Sequence, residues 1–83
     1  MLLSPDDELR DRNDLVAFLR DLHRDFQQRG HEWGNPTLDH FLEALTAWIE
    51  GSESWYRHAG KELPAAGDWT FFARALTAAT IYE

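Results

Sequence analysis

The 83 residues, 43% of them hydrophobic and including four Trp, two Tyr and five Phe, can build one small domain, which we expect to span residues 1–83. Fifteen acidic and eight basic residues give a formal net charge of −7, which disfavours nucleic acid and anionic membrane as partners because both are bound largely through Lys and Arg. The lack of cysteine excludes a disulfide framework and a thiolate metal site.

The beginning of the chain allows two interpretations, in which residues 1–11 form either a loosely ordered arm or a short first turn. Ser4-Pro5 resembles a helix start, and Asp11 with Asp14 three residues later gives a second one. A first helix is predicted over residues 12–28, because its apolar residues recur at helical spacing. These residues are Leu15, Phe18, Leu19, Leu22 and Phe26. Gly30 supplies the stop signal.

A second helix is predicted over residues 36–50, with Asn35 as its cap and Pro36 at its first position, where a missing N–H costs nothing. Its apolar face comprises Leu38, Phe41, Leu42, Leu45, Trp48 and Ile49. Gly51 ends it. Trp33, just before the cap, is placed to fold back onto Leu38 or Phe41.

Residues 51–67 contain three Gly and one Pro, which break any long pattern. A loop of this length without structure of its own would be unusual in a compact domain. We therefore expect a short helical turn over residues 53–58, capped by Ser52.

The last helix is predicted over residues 69–82, with Asp68 as its cap. It carries two apolar stripes rather than one, so we expect it to be the central element of the fold. Only four side chains remain to face water in this interpretation, namely Thr70, Arg74, Thr77 and Thr80.

Together these elements predict an all-α fold, a small three-helix domain with an additional short helical turn between helices 2 and 3. The short first link predicts that the first two helices pack side by side and near antiparallel. The longer second link allows the last helix to cross the groove between them.

Two segments contain motifs whose residues are typical of structural roles in folding rather than of catalysis. The first reads Trp33-x-Asn35-x-Thr37-Leu38-x-x-Phe41-Leu42-Glu43-Ala44-x-x-x-Trp48, and the second reads Trp69-x-x-x-Ala73-x-x-Leu76-x-Ala78-Ala79-x-x-Tyr82-Glu83. Together they resemble a family of small acidic, mainly actinobacterial proteins known as a domain of unknown function, over about residues 11–83. The resemblance implies a compact domain that often stands alone, and it implies no catalytic residue.

Two clusters carry candidate chemistry. The first cluster could bind a divalent metal or act in acid–base chemistry, and it consists of Asp39, His40 and Glu43 on the second helix with His31 or Glu32 before it. However, a structural zinc site needs four ligands at known spacing. The simpler interpretation is the solvated flank of an amphipathic helix, and we expect no catalytic residue, metal or cofactor.

The second cluster is Trp55, Tyr56, Arg57 and His58, which we predict as contacts for a partner, because Trp, Tyr and Arg dominate binding hot spots. In the alternative interpretation, Trp55 and Tyr56 close one end of a small core, and we favour this role for at least one of them.

We therefore expect a non-enzymatic, cytoplasmic protein-interaction module, an adaptor or inhibitor-like binder. No signal peptide or membrane span is recognisable, and the negative charge favours a basic protein partner. The alternatives are a self-associating structural unit, so that the protein is a monomer or a homodimer, and a small metal-dependent or acid–base enzyme.

Overall fold

A computed structural model describes residues 7–81, and within this range all regular elements are helices, with no strand. The elements are α1 (Arg12–Arg29), a 3-10 turn (Gly30–Glu32), α2 (Leu38–Glu50), α3 (Ser52–His58) and α4 (Trp69–Ala79). The all-α prediction is confirmed, and the short turn expected at 53–58 is the helix α3. The predictions for residues 1–6, Tyr82 and Glu83 lie outside the described residues.

Two predicted helix starts are confirmed by their hydrogen bonds. The Asp11 carboxylate accepts from the backbone N–H of Asp14 at 2.9 Å, and the Asp68 carboxylate accepts from that of Phe71 at 2.7 Å. Each bond satisfies one of the N–H groups that the first turn of a helix leaves without a partner. A fresh helix therefore starts after Asp11, as this second start signal predicts.

The predicted start of α2 is wrong by two residues. Thr37, not Asn35, is the cap, because its hydroxyl accepts from the backbone N–H of His40 at 3.2 Å. Asn35 instead binds the end of α4, where its backbone N–H donates to the carbonyl of Thr80 and its side-chain amide donates to that of Ala79, both at 3.1 Å. These carbonyls need partners because the last turn of a helix leaves them free, a long-range role that the local pattern does not reveal.

At the junction of α2 and α3, a second predicted helix cap is wrong. Gly51 ends α2 as predicted and also caps α3. Ser52, predicted as the cap, is the first residue of α3, and its buried hydroxyl donates to the carbonyl of Ile49 at 2.7 Å. The two helices therefore follow one another with no loop between them.

Helix α4 is the central element, as predicted, because both α1 and α2 pack against it. The bonds of Asn35 place the start of α2 at the end of α4, so these two helices run antiparallel. The predicted side-by-side packing of α1 and α2 is wrong: both lie wholly within residues 7–81, and no Cα atom of one comes within 8 Å of a Cα atom of the other. An open groove is left between their exposed faces, although Phe41 and Leu45 of α2 pack against the buried cluster formed by α1 and α4.

Two groups of buried side chains form the core. One joins α1 to α4 and consists of Leu15, Phe18, Leu22, Ala73 and Leu76, and the other joins α2, α3 and α4 through Trp48, Tyr56 and Ala75. Alanines at the contact faces of α4 let its neighbours approach closely, and Ala73, Ala75 and Ala79 are completely buried. No helix within the described range is long and apolar enough to cross a bilayer.

The predicted water-facing side of α4 is largely buried. Thr70, Arg74 and Thr80 are buried, whereas Trp69 and Phe72 are exposed. Thr70 is covered by the extended segment before α1. The backbone N–H of Leu9 donates to the Thr70 hydroxyl at 2.8 Å, and this hydroxyl donates to the Leu9 carbonyl at 3.1 Å. The prediction failed because the covering segment carries no helical pattern that would place it there.

Arg74 is the charged residue at the centre of this covered face, with only 8% of its surface exposed. Its guanidinium donates to the hydroxyl of Tyr56 at 3.1 Å and to the backbone carbonyl of Asp7 at 3.2 Å. It also lies 5.3 Å from the ring centre of Trp55 and 5.4 Å from that of Tyr56, within the range of cation–π attraction. Arg74 thus ties the N-terminal segment, α3 and α4 together.

Candidate functional site

The gap between α1 and α2 forms an open groove of about 370 Å³. Its lining comes from the second half of α1, the connector and the start of α2. The lining residues are Leu19, Leu22, His23, Phe26, Trp33, Asn35, Pro36, Thr37, Leu38 and Phe41. The groove exists because α4 holds both helices while leaving them apart from one another.

Trp33 and its two aromatic neighbours form one wall of the groove. Its ring stacks on Phe41 at 5.8 Å between centroids and meets Phe26 edge-on at 5.2 Å. The contact with Phe41 confirms the predicted packing of Trp33 onto α2. Gly30 is buried beneath Phe26, where an added Cβ would lie 2.5 Å from a ring carbon, so a side chain at position 30 would displace the Phe26 ring.

Asp25 fixes the orientation of the Trp33 indole. Its carboxylate accepts from the indole N–H at 2.8 Å and from the Nε of Arg29 at 3.2 Å. The hydrogen bond from Arg29, followed by that from Trp33, lowers the pKa of Asp25 below its ordinary value of 3.8. The carboxylate therefore stays ionised and holds Trp33 in place over a wide pH range.

We expect the chemical shift of the Trp33 indole N–H proton to follow the protonation of Asp25, with a midpoint below the ordinary carboxyl pKa of 3.8. Because folding lowers the pKa of Asp25, its contribution to stability is complete above the unfolded-state pKa and is lost as the pH falls through the folded-state pKa. The measurement is the pH dependence of the indole proton chemical shift, with Asp25→Asn as the variant that abolishes this titration. A midpoint at or above 3.8 would contradict the hydrogen-bond assignment.

The groove exposes carbon rather than polar atoms. Leu38 is 73% exposed, and Leu19 and Phe26 are also exposed. The polar groups of Trp33, Asn35 and Thr37 are already engaged in hydrogen bonds within the fold. The groove therefore has little with which to orient a polar small molecule, and it fits apolar side chains.

Charged side chains of both signs follow the lining residues of the groove. On α1, Arg20 and Arg24 each follow a lining residue by one position, which is about 100° around the helix. On α2, Asp39 follows the lining residue Leu38 in the same way, whereas Glu43 lies about 200° around the helix from the lining residue Phe41 and faces away from the groove. All four charged side chains are exposed. Arg24 is paired with Asp21, so Arg20 on α1 and Asp39 on α2 are the charged residues next to the groove that lack such a pair within residues 7–81.

The residues predicted as partner contacts lie on α3 and are placed in different environments. Tyr56 is 2% exposed and belongs to the core, so it fills the core-closing role that was the alternative interpretation. Trp55 is half-buried, whereas Arg57 and His58 are exposed. Arg57 pairs with Glu53 at 3.0 Å, and the His58 Nδ1 lies 2.8 Å from the carbonyl of Ser54.

The candidate metal or acid–base residues His31, Asp39, His40 and Glu43 are all exposed. Within residues 7–81, no three His, Asp or Glu side chains lie close enough together to hold a metal ion. The exposed positions agree with the interpretation of this region as a solvated helix flank.

A second pocket, of about 500 Å³, lies between the N-terminal segment and the end of the α3–α4 loop. Its lining includes three acidic residues, Glu8, Glu62 and Asp68, and three basic ones, Arg10, Lys61 and Arg74. Because these charges balance, the pocket favours neither anionic nor cationic ligands.

The groove is not recognisable from the sequence pattern. Its apolar residues follow the same helical spacing as those of the core, so periodicity alone assigned both sets to one buried face. Whether these apolar residues are exposed depends on how far α1 lies from α2, which is a property of the tertiary structure.

Comparisons with known proteins agree with the predicted resemblance at the level of the family. Neither the curated proteins nor the solved structures contain a significant match to the chain. Residues 11–83 match the family model of DUF7660, described as a family of unknown function, and the chain therefore belongs to that family.

Proposed function

We propose that this domain is a non-catalytic protein-interaction module that holds an amphipathic α-helix of another protein in the groove between α1 and α2. The observation that supports this proposal is the open, apolar groove, whose most exposed large hydrophobic residue, Leu38, has 73% of its surface in contact with water. Large apolar side chains exposed together in a groove are typical of interaction sites.

The dimensions of the groove suit a helix. From Leu19 to Phe26 the wall formed by α1 is about 10 Å long at 1.5 Å per residue, which corresponds to two turns of a bound helix. A helix in such a groove inserts apolar residues at positions i, i+3 or i+4, and i+7. It would pack between α1 and α2, in the space that their separation leaves open.

The charge of the domain favours a basic partner. The formal net charge is −7, and on α2 the exposed Asp39 directly follows the lining residue Leu38. Long-range attraction raises the rate of association with a basic protein, and local pairing adds specificity. Such a module would act as an adaptor or as an inhibitor, and its cysteine-free composition suits a reducing, cytoplasmic setting.

The exposed part of α3 is a second proposed contact region, comprising Trp55, Arg57 and His58. Arg and Trp are frequent in binding hot spots, and these three residues share one short helix that directly follows α2. In this proposal they contact parts of the partner outside the bound helix.

Leu38→Asp is expected to weaken the binding of a synthetic amphipathic peptide with a leucine stripe and lysine-containing flanks by more than about tenfold. A charge at the centre of an apolar contact would be desolvated without a partner. Because Leu38 is exposed, the free energy of unfolding should change by less than about 0.5 kcal/mol. Isothermal titration calorimetry measures the affinity, and urea denaturation measures the stability.

The matched control is Ile81→Asp, since Ile81 is 70% exposed and does not line the groove. The control should bind the peptide as the wild type does. Equal binding by Leu38→Asp and Ile81→Asp would contradict the groove as the site.

Light scattering of the same proteins tests the alternative of self-association. A concentration-dependent dimer that the Leu38→Asp substitution dissociates would show that a second copy occupies the groove.

A further inference from the structure

We infer that the face of α4 that carries Thr70 and Arg74 is a binding site for an extended peptide, and that residues 7–10 of this chain occupy it as an internal ligand. The partner that fits this site is an extended segment of another protein with one leucine-like side chain, which would compete with residues 7–10. Neither Thr70 nor Arg74 lines the groove between α1 and α2, so the inference does not depend on the proposed function.

Thr70 binds the backbone of residue 9 rather than its side chain. The hydroxyl accepts from the Leu9 N–H at 2.8 Å and donates to the Leu9 carbonyl at 3.1 Å. Every residue except proline offers this backbone donor and acceptor. The buried hydroxyl therefore provides a contact that a segment of another protein can form equally well.

Arg74 provides a second contact at a matching distance along α4. Its guanidinium donates to the carbonyl of Asp7 at 3.2 Å, two residues before Leu9. Thr70 and Arg74 are four residues apart, which is about 6 Å along a helix axis, and two residues of an extended chain span about 6.6 Å. The two buried side chains thus fit alternate residues of an extended chain.

Leu9 is the apolar anchor of the internal ligand. It is half-buried and packs against the core cluster shared by α1 and α4, whereas Asp7, Glu8 and Arg10 are exposed. A competing peptide therefore needs a leucine-like side chain at one position and an extended backbone around it. Its other side chains face water and are less restricted.

Two observations indicate that the internal ligand can be exchanged. Residues 7–10 precede the part of the chain that matches the family model, residues 11–83, whereas Thr70 and Arg74 lie within that part. In addition, the internal ligand does not fill its site, because the pocket of about 500 Å³ next to it is lined by Leu9, Thr70 and Arg74 among others. The charges around this pocket balance, which agrees with a ligand held through its backbone and one apolar side chain.

The test uses the ¹⁵N-labelled full chain with the substitution Leu9→Asp, which removes the internal anchor, and a synthetic peptide of residues 4–12. We expect saturable shifts of the Thr70 and Arg74 amides in this variant. Binding to the wild-type protein should be at least about tenfold weaker, because the apparent affinity falls with the fraction of molecules whose site is open. A peptide that carries aspartate in place of its leucine is the matched control and should not bind.

The variant with Leu9→Asp and Thr70→Val together should no longer bind the peptide, because valine lacks the hydroxyl that donates to and accepts from the backbone. Circular dichroism checks that each variant is folded, and Leu9→Ala replaces Leu9→Asp if the latter is unfolded. The inference is overturned if the folded variant shows no saturable binding, or if it binds both peptides equally. Equal affinities of the wild type and the Leu9 variant, or unchanged binding after Thr70→Val, would overturn it as well.

Discussion

Arg74→Ala is expected to lower the free energy of unfolding by about 2–4 kcal/mol, through the loss of charged hydrogen bonds, cation–π contacts and the packing of the side-chain stem. The guanidinium bonds to the Tyr56 hydroxyl and to the carbonyl of Asp7, and it lies against the Trp55 ring. Its removal takes a hydrogen-bond partner from the buried Tyr56 hydroxyl and removes one of the contacts that hold the segment before α1. A domain of this length is stabilised by only about 4–12 kcal/mol in total, so the change removes a large share.

The comparison for Arg74→Ala is Arg24→Ala, which removes the same side chain from an exposed pair with Asp21. An exposed pair contributes about 0–1 kcal/mol, so this variant should unfold almost as the wild type does. Urea denaturation followed by circular dichroism measures both. Equal midpoints for the two variants would show that the contacts of Arg74 do not stabilise the fold.

Trp48→Ala is expected to cost about 3–5 kcal/mol, the usual range for removing a large aromatic side chain from a core. Trp48 is 6% exposed and packs 6.0 Å from the ring centres of both Trp55 and Phe71. Its loss opens a cavity at the junction of α2, α3 and α4, which the surrounding rings cannot fill completely. The variant should therefore be partly unfolded at room temperature or should melt far below the wild type.

Trp69→Ala is the control for Trp48→Ala, because the same substitution is made at an exposed tryptophan of α4. About half of the Trp69 side chain already contacts water, so its removal should cost only about 1 kcal/mol. Thermal unfolding by calorimetry gives both values. A smaller effect at Trp48 than at Trp69 would contradict the assignment of the core.

The sequence predicted much of the fold, because local rules decide where these helices lie. Asp11 and Asp68 cap α1 and α4 as their positions before apolar runs indicate. Local rules failed to predict the role of a side chain where that side chain contacts an element far away in the sequence. Asn35 has the residue type and position of a cap but binds the end of α4, and Arg74 has the periodicity of a surface residue but is covered by the extended segment before α1.

The candidate site was less predictable than the fold. Leu19 and Leu38 have the spacing of core residues, and only the distance between α1 and α2 exposes them. The α3 cluster was singled out by residue type, yet its Tyr56 is a core residue. Residue type and periodicity identify apolar faces, whereas the packing of α4 decides which of these faces remain open.

The most direct test of the binding groove is the mapping of backbone amide shifts in the ¹⁵N-labelled protein during titration with the leucine-stripe peptide. We predict saturable shifts along the lining of the groove, centred on Leu19, Phe26, Leu38 and Phe41, with amides at the start of α4 unchanged. Additional shifts at Trp55, Arg57 and His58 are expected only with a partner longer than one helix. Shifts confined to α3, or no saturable shift at the groove, would contradict the account.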